Sequence, residues 1–334
     1  MPTTLTPDIC VIGAGSGGLS VAAAAAAFGV PVVLIEKGEM GGDCLNYGCV
    51  PSKALIAAAK HVHAIKAARA FGIETGELVI DFQKVHDHVH GVIAAIAPHD
   101  SQERFEGLGV TVIRAAGRFI DRDTVVAGDT VIKARRFVIA TGSSAAIPPI
   151  PGLSDVPYLT NESVFDLTRG PEHLIVIGGG PIGLELAQAH RRLGARVTVL
   201  EAFRVFGKDD PDLATIARAG VEADGVIIRE GAKVSAVARA GDGVAVTIDV
   251  GGQAETLTGS HLLVAAGRKP NVDGLGLDMA GIAHERRGIT VDAGLRTSNR
   301  KVYAIGDVAG GLQFTHVAGY HAGLVIRSIL FRLP

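Results

Sequence analysis

The chain has 334 residues, 48% of them hydrophobic, and a net charge of −2 at neutral pH. This length favours two or three domains, and this composition excludes general disorder. The near-neutral charge and the absence of tryptophan argue against a nucleic-acid partner, and three cysteines are too few for a secreted disulfide framework or a four-cysteine zinc site.

The N-terminal residues, Met1 to Pro7, lack the basic stretch and apolar run of a secretory signal. The apolar run Ala22 to Ala27 is too short to span a bilayer. We therefore predict a cytoplasmic protein with no membrane partner.

The first predicted strand is Ile9 to Ile12, an apolar, β-branched run typical of a buried parallel strand. It leads into Gly13 to Gly18 (GAGSGG), an alanine-rich helix that ends at Phe28, and a second strand, Val32 to Ile35, followed by Glu36. In such a strand–turn–helix context, the glycines of GxGxxG allow a tight turn and the approach of a pyrophosphate. The acidic residue then accepts hydrogen bonds from the ribose hydroxyls.

The same pattern returns further along the chain at a constant offset. Strand Leu174 to Ile177 leads into Gly178 to Gly183 (GGGPIG), a helix to Leu193, and strand Val197 to Leu200. The matched pairs are Gly13 with Gly178, Gly15 with Gly180, Gly18 with Gly183, Gly29 with Gly194, and Glu36 with Glu201. Two βαβ units without a ligand are the alternative, but the narrow context of both motifs favours two dinucleotide sites.

A second pair of similar segments supports a duplication. Phe137 to Gly142 (FVIATG) matches Leu262 to Gly267 (LLVAAG), each an apolar strand that ends in a turn of small residues before prolines. We predict an α/β fold with two Rossmann-like dinucleotide-binding domains, the second inserted in the first.

Two cysteines follow the first acidic residue, in the segment Gly41 to Lys53 (GGDCLNYGCVPSK). Pro51 suits the first turn of a helix, so Cys49 is expected near a helix N-terminus, where the dipole favours a thiolate. Lys53 lies one turn further along the same face. Cys44 is close enough in sequence to pair with Cys49, but on spacing alone a redox pair and two buried thiols both remain open.

The remaining cysteine, Cys10, stands in the middle of the first strand and is predicted to be a small core residue. His86 and His90 have a metal-compatible i, i+4 spacing, whereas His61 and His63 do not. No carboxylate or cysteine completes either set, so we predict a solvated helix face and no metal site.

The segment Gly41 to Lys53 resembles the active-site sequence of the pyridine nucleotide-disulfide oxidoreductases, the family of dihydrolipoamide dehydrogenase, glutathione reductase and mercuric reductase. The resemblance extends over the whole chain. Besides the two glycine motifs and the cysteine segment, it includes Ala140 to Gly142 (ATG), Ala266 to Asn271 (AGRKPN) and Val302 to Asp307 (VYAIGD).

The resemblance implies an FAD-binding domain formed by residues 1–150 and 272–334, and an NAD(P)-binding domain formed by residues 151–271. The residues implied in FAD binding are Gly13, Gly15, Gly18, Glu36, Lys37, Gly42, Lys53, Thr141, Gly142, Gly306 and Asp307. The residues implied in NAD binding are Gly178, Gly180, Gly183, Glu201 and Gly267.

The family resemblance also implies the catalytic roles. Cys49 would face the flavin, Cys44 would attack the substrate, and Lys53 would lie near the flavin and pair with Glu185. Electrons would pass from NAD(P)H through the flavin to a Cys44–Cys49 disulfide, or in reverse from a dithiol to NAD⁺.

Glu201 favours NADH over NADPH, because a carboxylate accepts a hydrogen bond from the ribose 2′-hydroxyl and repels a 2′-phosphate. Arg204 nearby is interpreted as a solvated surface residue. Pro181 stands where some relatives carry an aromatic gate over the nicotinamide pocket.

Three functions follow from the resemblance. Dihydrolipoamide-dehydrogenase-like chemistry on a small disulfide or dithiol leads, mercuric-reductase-like reduction of a metal ion is an alternative, and an FAD- and NAD-binding core without substrate turnover is the third. The family continues into an interface domain that forms the dimer and carries a catalytic histidine. That domain would begin near Leu330 to Pro334, so we expect it to be absent, turnover to be limited, and this chain to be a monomer where full-length relatives are homodimers. His316 and His321 precede that point and are not expected to serve as the catalytic histidine.

Overall fold

A computed structural model describes residues 3–333 of the chain. Within them, the α-helices are α1 (Ser16–Ala27), α2 (Gly42–Asn46), α3 (Cys49–Ala67), α4 (Phe82–Ile96), α5 (Gln102–Gly107), α6 (Pro181–Arg192), α7 (Pro211–Ala223) and α8 (Thr315–Phe331). The strands are β1 (Thr3–Leu5), β2 (Ile9–Ile12), β3 (Val32–Ile35), β4 (Thr111–Ile113), β5 (Gly117–Phe119), β6 (Val125–Ala127), β7 (Thr130–Ile132), β8 (Arg136–Ile139), β9 (Ser143–Ala145), β10 (His173–Ile177), β11 (Arg196–Glu201), β12 (Ile227–Glu230), β13 (Lys233–Ala240), β14 (Gly243–Val250), β15 (Gln253–Gly259), β16 (His261–Val264), β17 (Arg268–Pro270), β18 (His284–Glu285), β19 (Gly288–Ile289) and β20 (Val302–Ala304).

The chain divides into two compact units, each built from separate stretches of sequence. The first unit comprises Met1–Asn46, Ile93–Ser144 and Arg268–Pro334. The second comprises Tyr47–Val92 and Ala145–Gly267.

The first unit contains a parallel sheet with strand order β20-β8-β2-β3-β4. Its central strands are buried on both faces, which explains their continuous apolar sequence. One face packs against α1 and α8, where Val11 and Val138 join the same core as Val325. The opposite face packs with the sheet β1-β7-β6-β5, where Phe137 meets Phe119 edge to face at 5.2 Å between ring centroids.

The second unit repeats this plan. Its parallel sheet has the order β12-β11-β10-β16, which matches the order β4-β3-β2-β8 of the first unit. In both units an antiparallel three-stranded segment precedes the last of these strands, β5 to β7 in the first and β13 to β15 in the second. The predicted duplication and the α/β fold class are therefore confirmed.

The boundaries of the compact units differ from the predicted domain boundaries. The changes of unit fall at 144/145 and 267/268 rather than at 150/151 and 271/272. The larger difference is Tyr47–Val92, which the prediction includes in the first domain and which packs in the second unit. The physical reason is that α3 packs along α6, while Phe82 at the start of α4 packs beside the His190 ring at 6.1 Å.

Cys10 in β2 is fully buried, and burial raises the pKa of its thiol far above the usual range, as befits a core residue. None of the helices within residues 3–333 combines the length and hydropathy needed to cross a membrane.

Candidate nucleotide and disulfide sites

The first glycine motif lies in the turn between β2 and α1. Gly13 has a φ of 107°, and a Cβ there would lie 2.4 Å from the Ala140 carbonyl oxygen. A Cβ on Gly18 would lie 1.9 Å from the Gly13 carbonyl oxygen. Gly15 is different, because its Cβ would come no closer than 4.0 Å to the Gly42 Cα among the described atoms. Folding therefore demands the first and third glycines, and the middle one leaves room for a ligand.

Glu36 closes this turn from the end of β3. Its carboxylate accepts hydrogen bonds from the Ala14 N–H at 2.6 Å and the Gly38 N–H at 2.7 Å. These bonds fix the carboxylate beside the glycine turn, where a ribose would have to lie if a pyrophosphate occupied the turn. Lys37, the next residue, is exposed.

The second glycine motif has the same geometry in the second unit. Gly178 has a φ of 112°, and a Cβ there would lie 2.4 Å from the Ala265 carbonyl oxygen. A Cβ on Gly183 would lie 2.1 Å from the Gly178 carbonyl oxygen, whereas one on Gly180 would have no described atom within 4 Å. The middle glycine is again the one that packing does not require.

Glu201 repeats the arrangement of Glu36. It accepts from the Gly179 N–H at 2.8 Å and from the Phe203 N–H at 3.0 Å. In both units, therefore, a carboxylate at a strand end bonds the N–H that follows the first glycine of the motif and the N–H two residues after itself. Arg204 and Pro181 are exposed near this turn.

Both turns have the properties that a dinucleotide requires. α1 begins after Gly15 and α6 after Gly180, and among residues 3–333 no side chain caps either start. The first N–H groups of such helices favour an anion, and the glycines admit a phosphate to the backbone. Gly42 closes on the first turn, because its own Cβ would lie 2.7 Å from the Gly15 Cα. The residues present thus fit FAD and NAD(P)H.

Asp307 lies in the short 3-10 helix Gly306–Ala309 that follows β20, in a polar network of the first unit. Its Oδ2 accepts a 2.6 Å hydrogen bond from the Ser143 hydroxyl. Arg268 donates from Nε to the same hydroxyl at 2.7 Å and from Nη2 to the Ser143 carbonyl at 2.8 Å. Its Nη2 also lies 3.0 Å from the Asp43 Oδ1, one residue before Cys44. The network connects the cysteine segment with Asp307 through one guanidinium.

The turn at Thr141 and Gly142 is held by Asn271. The Asn271 Nδ2 donates to the Thr141 carbonyl at 2.9 Å, and the Thr141 hydroxyl donates to the Asn271 carbonyl at 2.8 Å. Sequence reasoning included Arg268 and Asn271 only as letters of the AGRKPN motif and assigned neither a role. The available signal was the presence of two polar side chains in the segment that follows the buried strand β16.

Gly306 and Gly267 complete the predicted glycines. Gly306 has a φ of 66° and its N–H donates to the Nδ1 of His321 at 3.2 Å. Burial lowers the pKa of His321. Gly267, which follows β16 in the second unit, has a φ of 113°. Its carbonyl accepts a 2.9 Å hydrogen bond from the Ala146 N–H.

The two cysteines fall on either side of a unit boundary. Cys44 is half-buried in α2 of the first unit, and Cys49 is exposed as the first residue of α3 in the second. One turn into α3, Lys53 forms an ion pair with Glu185 of α6. The helix that begins at Cys49 is thereby tied to the helix that begins at the second glycine motif.

Two of the histidines singled out from the sequence lie side by side on α4. The rings of His86 and His90 lie 4.2 Å apart on α4, and His90 Nε2 lies 3.6 Å from the Asp166 carboxylate. In the part of the chain that the structure describes, no three His, Cys, Asp or Glu side chains converge as metal ligands. His316 stacks on Phe314 with ring centroids 5.3 Å apart.

Comparison with known proteins agrees with this geometry. The family described as pyridine nucleotide-disulphide oxidoreductase matches residues 7–322. A mercuric reductase from Streptomyces lividans is 35% identical over 97% of this chain and 70% of its own length. A dihydrolipoyl dehydrogenase from Thermus scotoductus is 38% identical over 94% of this chain and 68% of its own. Among solved structures, the Cu(II) complex of the HOCl-induced flavoprotein disulfide reductase RclA from Escherichia coli superposes with a TM-score of 0.85 at 29% identity, over 96% of this chain and 70% of that one.

The matched relatives are longer than this chain, which spans 52% to 59% of the length of several further mercuric reductases. Even so, the family match covers both glycine motifs, the cysteine segment and the Asp307 network, and the strand order repeats in both units. The chain belongs to the pyridine nucleotide-disulphide oxidoreductase family.

Proposed function

We propose that the protein is an FAD-dependent oxidoreductase that exchanges electrons between NADH and a disulfide formed by Cys44 and Cys49. The observation that carries the proposal is the duplicated glycine–carboxylate turn, one in each unit, with the cysteine segment following the first. FAD, when bound, can take a hydride from a nicotinamide and pass the electron pair to a disulfide.

The first unit supplies the groups expected to hold FAD. The turn from Gly13 to Gly18 and the start of α1 would bind the pyrophosphate, and Glu36 the adenosine ribose. Asp307, held by Ser143 and Arg268, would bind the ribityl region. We also assign five neighbouring residues to the FAD site: Lys37, Gly42, Thr141, Gly142 and Gly306.

The second unit supplies the nicotinamide nucleotide site. The turn from Gly178 to Gly183 would bind its pyrophosphate, with Gly267 at the facing strand end. The Glu201 carboxylate favours a free 2′-hydroxyl and disfavours a 2′-phosphate, so NADH is the proposed nucleotide.

Cys44 and Cys49 are the proposed redox pair. Reduction by NADH breaks the S–S bond and yields one thiol, one thiolate and NAD⁺, because the hydride supplies an electron pair and one proton. Cys49, at the N-terminal end of α3, suits the thiolate that remains, because the helix dipole favours an anion there. Cys44 would then attack the substrate, and the Lys53–Glu185 ion pair holds α3 against α6.

The substrate class proposed is a small-molecule disulfide or dithiol, as in dihydrolipoyl dehydrogenases. The similarity to mercuric reductases supports a second candidate, in which the reduced pair delivers electrons to a soft metal ion bound as substrate. Oxidation of NADH dependent on lipoamide, or on Hg²⁺, separates the two.

The proposed redox pair is tested in the FAD-loaded protein without oxygen. NADH is added, and the visible spectrum and thiol alkylation are followed, with alkylated peptides identified by mass spectrometry. We expect a long-wavelength charge-transfer absorbance and the appearance of alkylated Cys44 and Cys49. Cys49→Ser should abolish the band, and Cys10→Ser, a change in the core outside the proposed pair, should leave it. A wild-type protein that holds FAD but gives neither signal refutes the proposal.

A further inference from the structure

The carboxylate of Asp224 is a buried junction in the second unit. Asp224 follows α7 directly and its side chain is only 8% exposed. Its Oδ2 accepts hydrogen bonds from Gln188 at 2.6 Å and from the Nε of Arg192 at 2.9 Å. Its Oδ1 lies 3.0 Å from the Nδ1 of His63. The two oxygens thus serve two different helices, since Gln188 and Arg192 belong to α6 and His63 to α3.

The division of donors between the two oxygens matters. Arg192 is a permanent cation whose Nη2 also approaches Oδ2, at 2.8 Å, so the buried carboxylate is compensated without His63. His63 can donate from Nδ1 whether the imidazole is neutral or protonated. Removing the imidazole therefore breaks the connection to α3 and leaves the connection between Asp224 and α6 in place.

The junction lies toward the opposite end of α3 from Cys49, so a change in the helix direction there would displace Cys49. His63 lies fourteen residues after Cys49 on α3, which corresponds to roughly 21 Å along the helix axis. A second ion pair between α3 and α6, Lys53 with Glu185, has side-chain exposures of 62% and 37%, against 49% for His63 and 8% for Asp224. An exposed ion pair contributes little to orientation because solvent screens it. Because its carboxylate partner is buried, the His63–Asp224 pair is screened less than the Lys53–Glu185 pair and is the stronger of the two constraints.

We propose that His63 and Asp224 are positioning residues that fix the direction of α3 against α6, and thereby hold Cys49 and Lys53 in place relative to the nicotinamide nucleotide turn. The importance of that placement rests on the proposed function, in which Cys49 is a redox cysteine. The orientation of α3 itself does not.

The test compares three variants of the FAD-loaded protein. His63→Ala removes the donor. His63→Asn retains an N–H close to the position of Nδ1, and His61→Ala changes an exposed histidine on the same helix as a matched control. Amide hydrogen exchange is measured for peptides of α3, together with the alkylation rate of Cys49 after reduction with dithiothreitol.

In His63→Ala we expect amide exchange in the first two turns of α3 and alkylation of Cys49 to become about three- to fivefold faster, the factor expected for the loss of a partly exposed ion pair. His63→Asn should restore both rates to near the wild-type values, and His61→Ala should match wild type. The affinity for NADH should stay within about twofold, because Gln188 and Arg192 keep their partner.

Unchanged α3 exchange and unchanged Cys49 alkylation in His63→Ala would overturn the inference. So would equal effects of His63→Ala and His63→Asn, since that would mean that the contact between the Nδ1 position and Asp224 does not orient α3. Faster α3 exchange in His63→Ala supports the positioning role of His63 even if NADH generates no thiols in wild type. In that case only the proposed redox function fails.

Discussion

The middle and third glycines of the second motif offer a matched pair of perturbations. Gly180→Ala and Gly183→Ala each add one methyl group at the start of α6, three residues apart. The structure predicts opposite consequences. Gly180 has an ordinary φ of −78° and no described atom near its Cβ position. A Cβ on Gly183 would lie 2.1 Å from a backbone oxygen.

The expected magnitudes follow from those distances. At Gly183 a carbonyl must retreat by roughly 1 Å, an overpacking that costs about 1–3 kcal/mol or more of unfolding free energy. At Gly180 only a helix N-cap preference is lost, about 0.5–1 kcal/mol. In the nucleotide complex, however, the Gly180 methyl occupies the approach of the pyrophosphate. Losing one N–H bond to a charged phosphate costs about 1.5–3 kcal/mol, or about 10- to 150-fold in Kd.

The assay measures two quantities in each variant. Calorimetry gives the Tm, which should fall by no more than about 4 °C in Gly180→Ala and by more in Gly183→Ala. Titration with NADH gives Kd, which should rise strongly in Gly180→Ala although the fold is intact. FAD content is the control, because the first glycine motif is unchanged in both variants.

Wild-type NADH affinity in Gly180→Ala would refute the assignment of this turn to the nucleotide. A Tm of Gly183→Ala equal to wild type would refute the packing argument by itself. The two failures are independent, because one concerns the ligand and the other the protein backbone.

Two further predictions concern Glu201 and His190. Wild type should show a higher kcat/KM with NADH than with NADPH. Glu201→Gln should lower the ratio of the two kcat/KM values by about tenfold, equivalent to about 1.4 kcal/mol of lost repulsion. An unchanged ratio would mean that Glu201 does not select the nucleotide. Burial lowers the pKa of His190 in the folded chain, so the unfolded chain binds more protons below its own pKa of about 6.5, and stability falls as pH drops from there. His190→Gln should therefore flatten the dependence of urea-unfolding free energy on pH between about 6.5 and 5.5 by up to about 1.4 kcal/mol per pH unit, and equal slopes in the two proteins would contradict this.

Local sequence was sufficient for the repeated part of the fold. A strand buried on both faces needs an uninterrupted apolar run, and a turn with positive φ next to a close helix contact needs glycine. Such requirements act within a few residues of each other, and so β2, β3 and the glycine turns agree with the prediction to the residue or nearly so. The start of α3 at Cys49 follows from the same kind of signal, since Pro51 suits a first turn.

Contacts between residues far apart in sequence were decided by tertiary structure. Tyr47–Val92 packs with the second unit because α3 packs along α6 and Phe82 of α4 packs beside His190 of α6. No local pattern states which partner an amphipathic helix will choose. Arg268 joins Asp43 and Ser143 over more than a hundred residues, and His63 meets Asp224 in the same way. Charged and polar side chains of this kind look solvated in a sequence. Only the folded chain brings their partners within hydrogen-bonding distance and removes the water that would otherwise satisfy them.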